Sequence, residues 1–219
     1  MTLTTSYVNP DLDGVACAVG MAELLQRQGS DARAAVFGTP SAEARWVMRT
    51  FEIPVPPDGR TLLQPETEII LLDASDQLDL ERAFPTSAVV EIIDHREVHR
   101  ANDFPNVRRV QVELVGSCAT LVAERMQTAG VTPSRETARL LAGAIVSNTV
   151  DFRAPVTTDR DRTVAAWLAP IAALPNTFAA DMFAAKSDLS GLKLREAIIG
   201  DYTVKEFGGT RIVWFQIEA

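Results

Sequence analysis

AVVEIIDH, residues 88–95, is a run of β-branched and apolar side chains that ends abruptly in an acid and a histidine. One segment earlier, EIILLD at residues 68–73 has the same build. Nearly continuous apolar runs of this length suit strands buried on both faces of a parallel sheet, whereas a strand with one wet face alternates. Working outward, residues 32–37 and 107–114 are further strand candidates, and a first strand ends near residues 6–8. Residues 12–28 are apolar nearly all round, as in a helix packed against a sheet. Ser41 is placed to cap a helix running through Thr50. Helical patterns then dominate over residues 117–128, 134–147, 158–173 and 177–185. The alternation predicts an α/β fold, a doubly wound and mostly parallel sheet flanked by helices. Residues 202–207 and 211–218, joined through Gly208 and Gly209, read as a β-hairpin. We divide the chain into a domain over residues 1–190 and a linker-like tail over 191–219 that carries this hairpin.

Composition narrows the function classes. The chain has 219 residues, 47% of them hydrophobic and 23% charged, which is ordinary for a folded protein with a sizeable core. Its 29 acidic and 21 basic side chains leave a net charge of −8, which argues against a broad basic surface for nucleic acid. It does not argue against phosphate, because clustered acids that hold divalent cations turn a negative site into an attractive one. The opening MTLTTSYVNP lacks the basic start and apolar stretch of a secretory leader, and no apolar run is long enough for a membrane span. Cys17 and Cys118 lie in apolar helical contexts and read as core thiols in a reducing compartment. A cytoplasmic protein without a membrane partner is expected.

Polar residues collect where such folds bind ligands, outside the carboxyl ends of the strands. Asp11 and Asp13 follow the first strand in YVNPDLDG (7–14), Asp73 ends EIILLD, and Asp94 and His95 end VVEIIDH. Each alone has an ordinary reading, as a helix cap or a turn residue. Together, on three strand ends, they point to a divalent-cation site. His99, the other histidine, reads as an exposed loop residue.

At this point the ordered motifs NPDLD, LLD, IIDH and VGSCAT resemble the DHH phosphoesterase superfamily, as do AIVSN with DFRAP (144–155) and DLSG (188–191). Within it, the chain is similar to manganese-dependent (family II) inorganic pyrophosphatases and to Prune-type exopolyphosphatases. The resemblance implies a parallel-sheet DHH domain and a smaller C-terminal lid domain that closes over substrate; since the chain stops soon after the linker region, that lid is expected to be absent. It also implies metal ligation by Asp11, Asp13, Asp73, His95 and Asn148, with Asp94 behind His95 orienting an imidazole nitrogen. Asp73, His95 and Arg96 are the implied catalytic residues, and Arg96 and Lys205 the implied phosphate contacts. The cofactor would be one or two ions of Mn²⁺ or Mg²⁺, and the assembly a homodimer paired through an edge strand.

Three positions depart from the pyrophosphatase pattern. Tyr7 stands in place of the first-motif histidine, Arg96 in place of the last histidine of DHH, and Asn148 in place of an aspartate. Asp151, three residues on, is a candidate to compensate for Asn148 if the turn remains helical. Ser117 and Thr120 either cap the helix after VG or offer its positive end to an anion, and Arg153 is a further basic candidate. The resulting expectation is a divalent-metal phosphohydrolase that cleaves phosphoanhydride bonds in pyrophosphate or short polyphosphate. The alternative is a degenerate, non-catalytic relative that binds a phosphorylated ligand or a protein partner.

Overall fold

Five strands pair in parallel: β1 (Thr2–Thr5), β2 (Ala32–Ala34), β3 (Glu68–Leu72), β4 (Val89–Asp94) and β5 (Arg109–Val112). Their order across the sheet is β2-β1-β3-β4-β5. The computed structural model describes residues 1–77, 80–97, 100–187, 195, 198 and 202–215. The expected strand near residues 6–8 ends earlier, at Thr5, and Ser6 to Val8 lead out of the sheet. The order reverses between β1 and β3, so the connections leaving these two neighbours diverge and open a crevice at their carboxyl ends. Asp11 and Asp13 follow β1, and Asp73 follows β3. The acids therefore flank this crevice.

The helices are α1 (Leu12–Arg27), α2 (Ala42–Thr50), α3 (Cys118–Thr128), α4 (Arg135–Asn148), α5 (Asp159–Ala172) and α6 (Phe178–Lys186). All six contribute to one apolar cluster that includes Ile70, Leu72 and Ile93 from one face of the sheet. Leu3, Ile69, Leu71 and Ile92 point the other way, onto Phe37, Leu80, Phe84 and Phe104. That second face is covered by loops and short 3-10 turns, with no α-helix among the described residues. β3 and β4 are thus buried on both sides, as their unbroken apolar runs require.

α1 is central, packed between the sheet and α3 and α4. Its close approach to β1 is set by Gly14, where a Cβ would lie 2.5 Å from Ser6 Oγ. The Thr4 hydroxyl donates to the Ala18 carbonyl at 2.7 Å and ties β1 to the same helix. Glu91, on the helix side of β4, pairs with Arg125 of α3 at 2.7 Å. The expected hairpin is present as β6 (Tyr202–Phe207) and β7 (Thr210–Phe215), with Gly208 and Gly209 both at positive φ in the turn. The proposed boundary at residues 190–191 lies outside the described residues.

Candidate metal centre

Asp73 sits one residue past β3 at φ 55°, a left-handed conformation that aspartate tolerates better than most side chains. Its N–H still donates to the Ile93 carbonyl at 2.8 Å, so the turn is anchored to β4. His95 follows β4 and presents Nε2 to Asp73 Oδ1 at 3.2 Å and to Asp13 Oδ2 at 3.8 Å. Nδ1 lies 3.0 Å from the Val115 carbonyl, which can only accept, so Nδ1 carries the proton. That leaves Nε2 as the nitrogen that faces the acids, the arrangement a metal-binding imidazole needs.

Asp13 lies in the first turn of α1 and is fully buried. Its carboxylate accepts from the Cys118 and Ala119 N–H groups at 2.8 Å each, at the amino end of α3. Asn148, the last residue of α4, donates Nδ2 to the same carboxylate at 2.6 Å. The α3 amino end therefore serves a protein acid. Ser117 caps that helix, accepting from Ala119 N–H, and the Thr120 hydroxyl donates to buried Asp161 at 2.6 Å.

Among the described residues, Asp13, Asp73 and His95 offer one donor atom each within 4.8 Å of one another. The electrostatics fit a cation there. Burial, then the charges of Asp13 and Asp11, push the Asp73 carboxyl well above the usual carboxylate range. Burial likewise raises Asp13. Burial lowers the His95 pKa, but the hydrogen bond to Asp73 and the charges of Asp13 and Asp73 overcome it and raise it to about 10. Two buried acids are thus short of positive charge, and their hard oxygen donors with one imidazole suit Mn²⁺ or Mg²⁺.

The remaining expected residues take other positions. Asp11 caps α1 by accepting from Gly14 N–H at 2.9 Å, and its own N–H donates to the Tyr7 hydroxyl at 3.2 Å. The resemblance implies that Asp94 orients the imidazole; instead the Val115 carbonyl does. The Asp94 oxygens are occupied by the His95 N–H at 2.7 Å and by the Ser75 hydroxyl, so they brace the strand end instead. Arg96 donates Nη2 to the Asp73 carbonyl at 3.2 Å, with its guanidinium 5.9 Å from the centre of the Tyr7 ring. Asp151 is exposed and outside the cluster, because α4 stops at Asn148 and Val150, Asp151 and Phe152 are all left-handed. A β-branched residue such as Val150 is rarely found there, and such conformations cost roughly 1–3 kcal/mol each. Lys205 lies in β6, but its side chain, like all of His99, is outside the described residues.

A cleft of about 1320 Å³ opens beside the centre, lined by Asp11, His95, Arg96, Asn148, Arg153 and Lys186 among others. Arg153 is largely exposed and pairs loosely with Asp151 at 3.6 Å. Another depression lies at the amino ends of β3, β4 and β5, remote from the acids. The Val115 carbonyl and Lys186 of α6 are features of the site that sequence reasoning missed; the positive α3 end was foreseen, and it serves Asp13. For Val115 the only available signal was the small-residue turn VGSCAT between a strand and a helix.

The model of the DHH family N-terminal domain matches residues 2–145. The chain belongs to the DHH family. A Deinococcus radiodurans relative named as a probable manganese-dependent inorganic pyrophosphatase is 32% identical over 95% of this DHH-family chain. A Bacillus mycoides relative of the same name is 28% identical over 99% of it. The chain spans 66% and 70% of those two proteins' lengths. A solved Methanococcus jannaschii structure assigned to the family II inorganic pyrophosphatases superposes with a TM-score of 0.78 at 30% identity. That match covers 99% of this chain and 72% of the other. An exopolyphosphatase-related protein from Bacteroides fragilis shares the fold at 15% identity, with a TM-score of 0.67 over 93% of this chain and 62% of its own.

Proposed function

We propose that this DHH-family chain is a divalent-metal-dependent phosphohydrolase acting on phosphoanhydride bonds, with pyrophosphate or short polyphosphate as substrate and Mn²⁺ or Mg²⁺ as cofactor. The observation that carries it is the convergence of buried Asp13 and Asp73 on Nε2 of His95 beside the switch point of the sheet. The relatives' pyrophosphatase names support the same reading. Asp13, Asp73 and His95 would hold the ion, and Asp11 at the cleft wall would add negative charge beside it. When bound, a divalent cation supplies charge that attracts phosphate and acidifies the water that attacks it.

The chain's own residues prepare the rest. Asn148 and the α3 amino end fix the Asp13 carboxylate so that it does not reorganise when substrate arrives. Arg96 reaches into the cleft next to Asp73 and is placed to pair with a phosphoryl oxygen, for which a planar guanidinium is well shaped. Lys205 would add a second phosphate contact. A small phosphorylated substrate, a homodimer formed through an edge strand and a cytoplasmic location belong to the same proposal.

Tyr7 and Asn148 favour a second reading, a non-catalytic phosphate binder, because both replace ligands expected from the resemblance. Phosphate release separates the two. The protein is expected to liberate phosphate from pyrophosphate or tripolyphosphate with Mn²⁺, and to lose this with Asp73→Ala. Tight Mn²⁺ binding with no release from either substrate would favour the binder.

A further inference from the structure

We propose that the centre takes a single divalent cation, on Asp13, Asp73 and His95, and that Arg96, seated against Tyr7, supplies the second positive charge to the phosphoryl group. This rests on the hydrolase reading for the identity of the ligand, but not for the ion count. Five donors are expected at the centre, and among the described acids, histidines and cysteines Asp13, Asp73 and His95 converge within 4.8 Å. The other two lie outside that group and hold other contacts. Asp11 caps α1, and the Asn148 amide donates to Asp13. At 2.6 Å, that amide presents its nitrogen to the carboxylate, and it carries no charge to offset a second dication.

A cation already lies beside Asp73 and Tyr7. The Arg96 guanidinium donates to the Asp73 carbonyl at 3.2 Å, comes within 3.8 Å of Asp94 and sits 5.9 Å from the Tyr7 ring centre. Tyr7 contributes an aromatic face and a hydroxyl that accepts the Asp11 N–H. A neutral phenol is a poor ligand for a hard dication but a good seat for a guanidinium. A second dication there would meet Arg96 at short range, a repulsion that solvent at this half-exposed side chain screens only in part. An arginine can bind one phosphoryl oxygen in two-pronged fashion and so take over the charge-neutralising part of a second ion. It cannot ionise water. With one ion held by Asp13, Asp73 and His95, that ion alone would be available to acidify water, and phosphate affinity would fall to Arg96.

Mn²⁺ titration of the 219-residue protein, followed by electron paramagnetic resonance without substrate, reads the ion count independently of hydrolysis. The expected result is one Mn²⁺ per chain with the spectrum of an isolated ion, lost in Asp73→Asn. Two ions per chain with a spin-coupled spectrum, as for ions about 3.5–4 Å apart, would overturn the proposal while leaving the hydrolase reading intact. No bound ion would overturn both. Arg96→Gln tests the other half. It is expected to keep one Mn²⁺ per chain and to weaken inorganic phosphate binding to the Mn²⁺-loaded protein by about tenfold or more. Unchanged phosphate affinity would remove Arg96 from the role.

Discussion

At the scale of single residues, Asp73 concentrates the argument. It is buried, left-handed at φ 55°, and faces His95 Nε2 at 3.2 Å. Asparagine accepts that backbone conformation, so Asp73→Asn removes the charge without forcing the turn. Because burial and Asp13 hold the Asp73 carboxyl well above its usual range, its charge opposes folding in the metal-free protein at neutral pH. Metal-free Asp73→Asn is therefore expected to melt no lower than wild type, and to lose any Mn²⁺-induced rise. A metal-free variant melting far below wild type would show that Asp73 is structural. The acids and His95 were legible in the sequence because each ends an apolar run, and a strand end has one place to be in a parallel sheet. The Val115 carbonyl was not, since a backbone atom carries no letter; the positive α3 end was offered by the Ser117 and Thr120 pattern, but not that Asp13 takes it. Asn148 was legible as a departure, but its role as a donor to Asp13 depends on which way an amide turns.

At the scale of elements, the site is built from helix ends. Asp161, in the first turn of α5, is fully buried and accepts from the Thr158 N–H and hydroxyl at 2.7 Å each, from Gly116 N–H at 2.9 Å and from the Thr120 hydroxyl. It pins α5 and α3 to the loop that carries Val115. Burial works to raise its pKa, but the hydrogen bonds from Thr120, Thr158 and Gly116 outweigh burial and hold it below the ordinary 3.8. A depressed carboxyl contributes stability that is present above about pH 4 and lost as the pH falls through the lowered value. Asp161→Asn should cost about 1–3 kcal/mol for each donor left unpaired at pH 7. In urea titrations the gap to wild type should narrow toward pH 3, and a constant gap would deny the carboxylate this role. Gly14→Ala tests the α1–β1 approach. Its Cβ would meet Ser6 Oγ at 2.5 Å, and overpacking of this kind costs about 1–3 kcal/mol. The α1 and α3 boundaries followed from caps visible in the sequence, Asp11 and Ser117. The 3-10 turns over the second face did not, because segments of three residues leave no periodicity to read.

For the molecule as a whole, strand order places the chemistry. The reversal between β1 and β3 brings the residues after both strands to one crevice, and parallel pairing puts His95 at the same edge. An α/β fold with a parallel sheet was readable from strand and helix alternation. The gathering of all six helices on one face was not, since nothing in a helix's own pattern says which side of the sheet it takes. A cation bound only by the folded state stabilises it by mass action, about 2.7 kcal/mol at one hundred times its dissociation constant. For a chain of this size that corresponds to a rise in Tm of roughly 5–11 °C. Thermal unfolding with saturating Mn²⁺ against chelator should show it, and His95→Gln should diminish it. No rise in wild type would mean that the three donors do not make a site.

Phosphate release from pyrophosphate, followed after removing metal with chelator and then restoring Mn²⁺, tests the hydrolase directly. The account predicts no release from the stripped protein, recovery with added Mn²⁺, and no recovery in Asp73→Asn. Release that survives stripping, or that Asp73→Asn supports as well as wild type does, would contradict it.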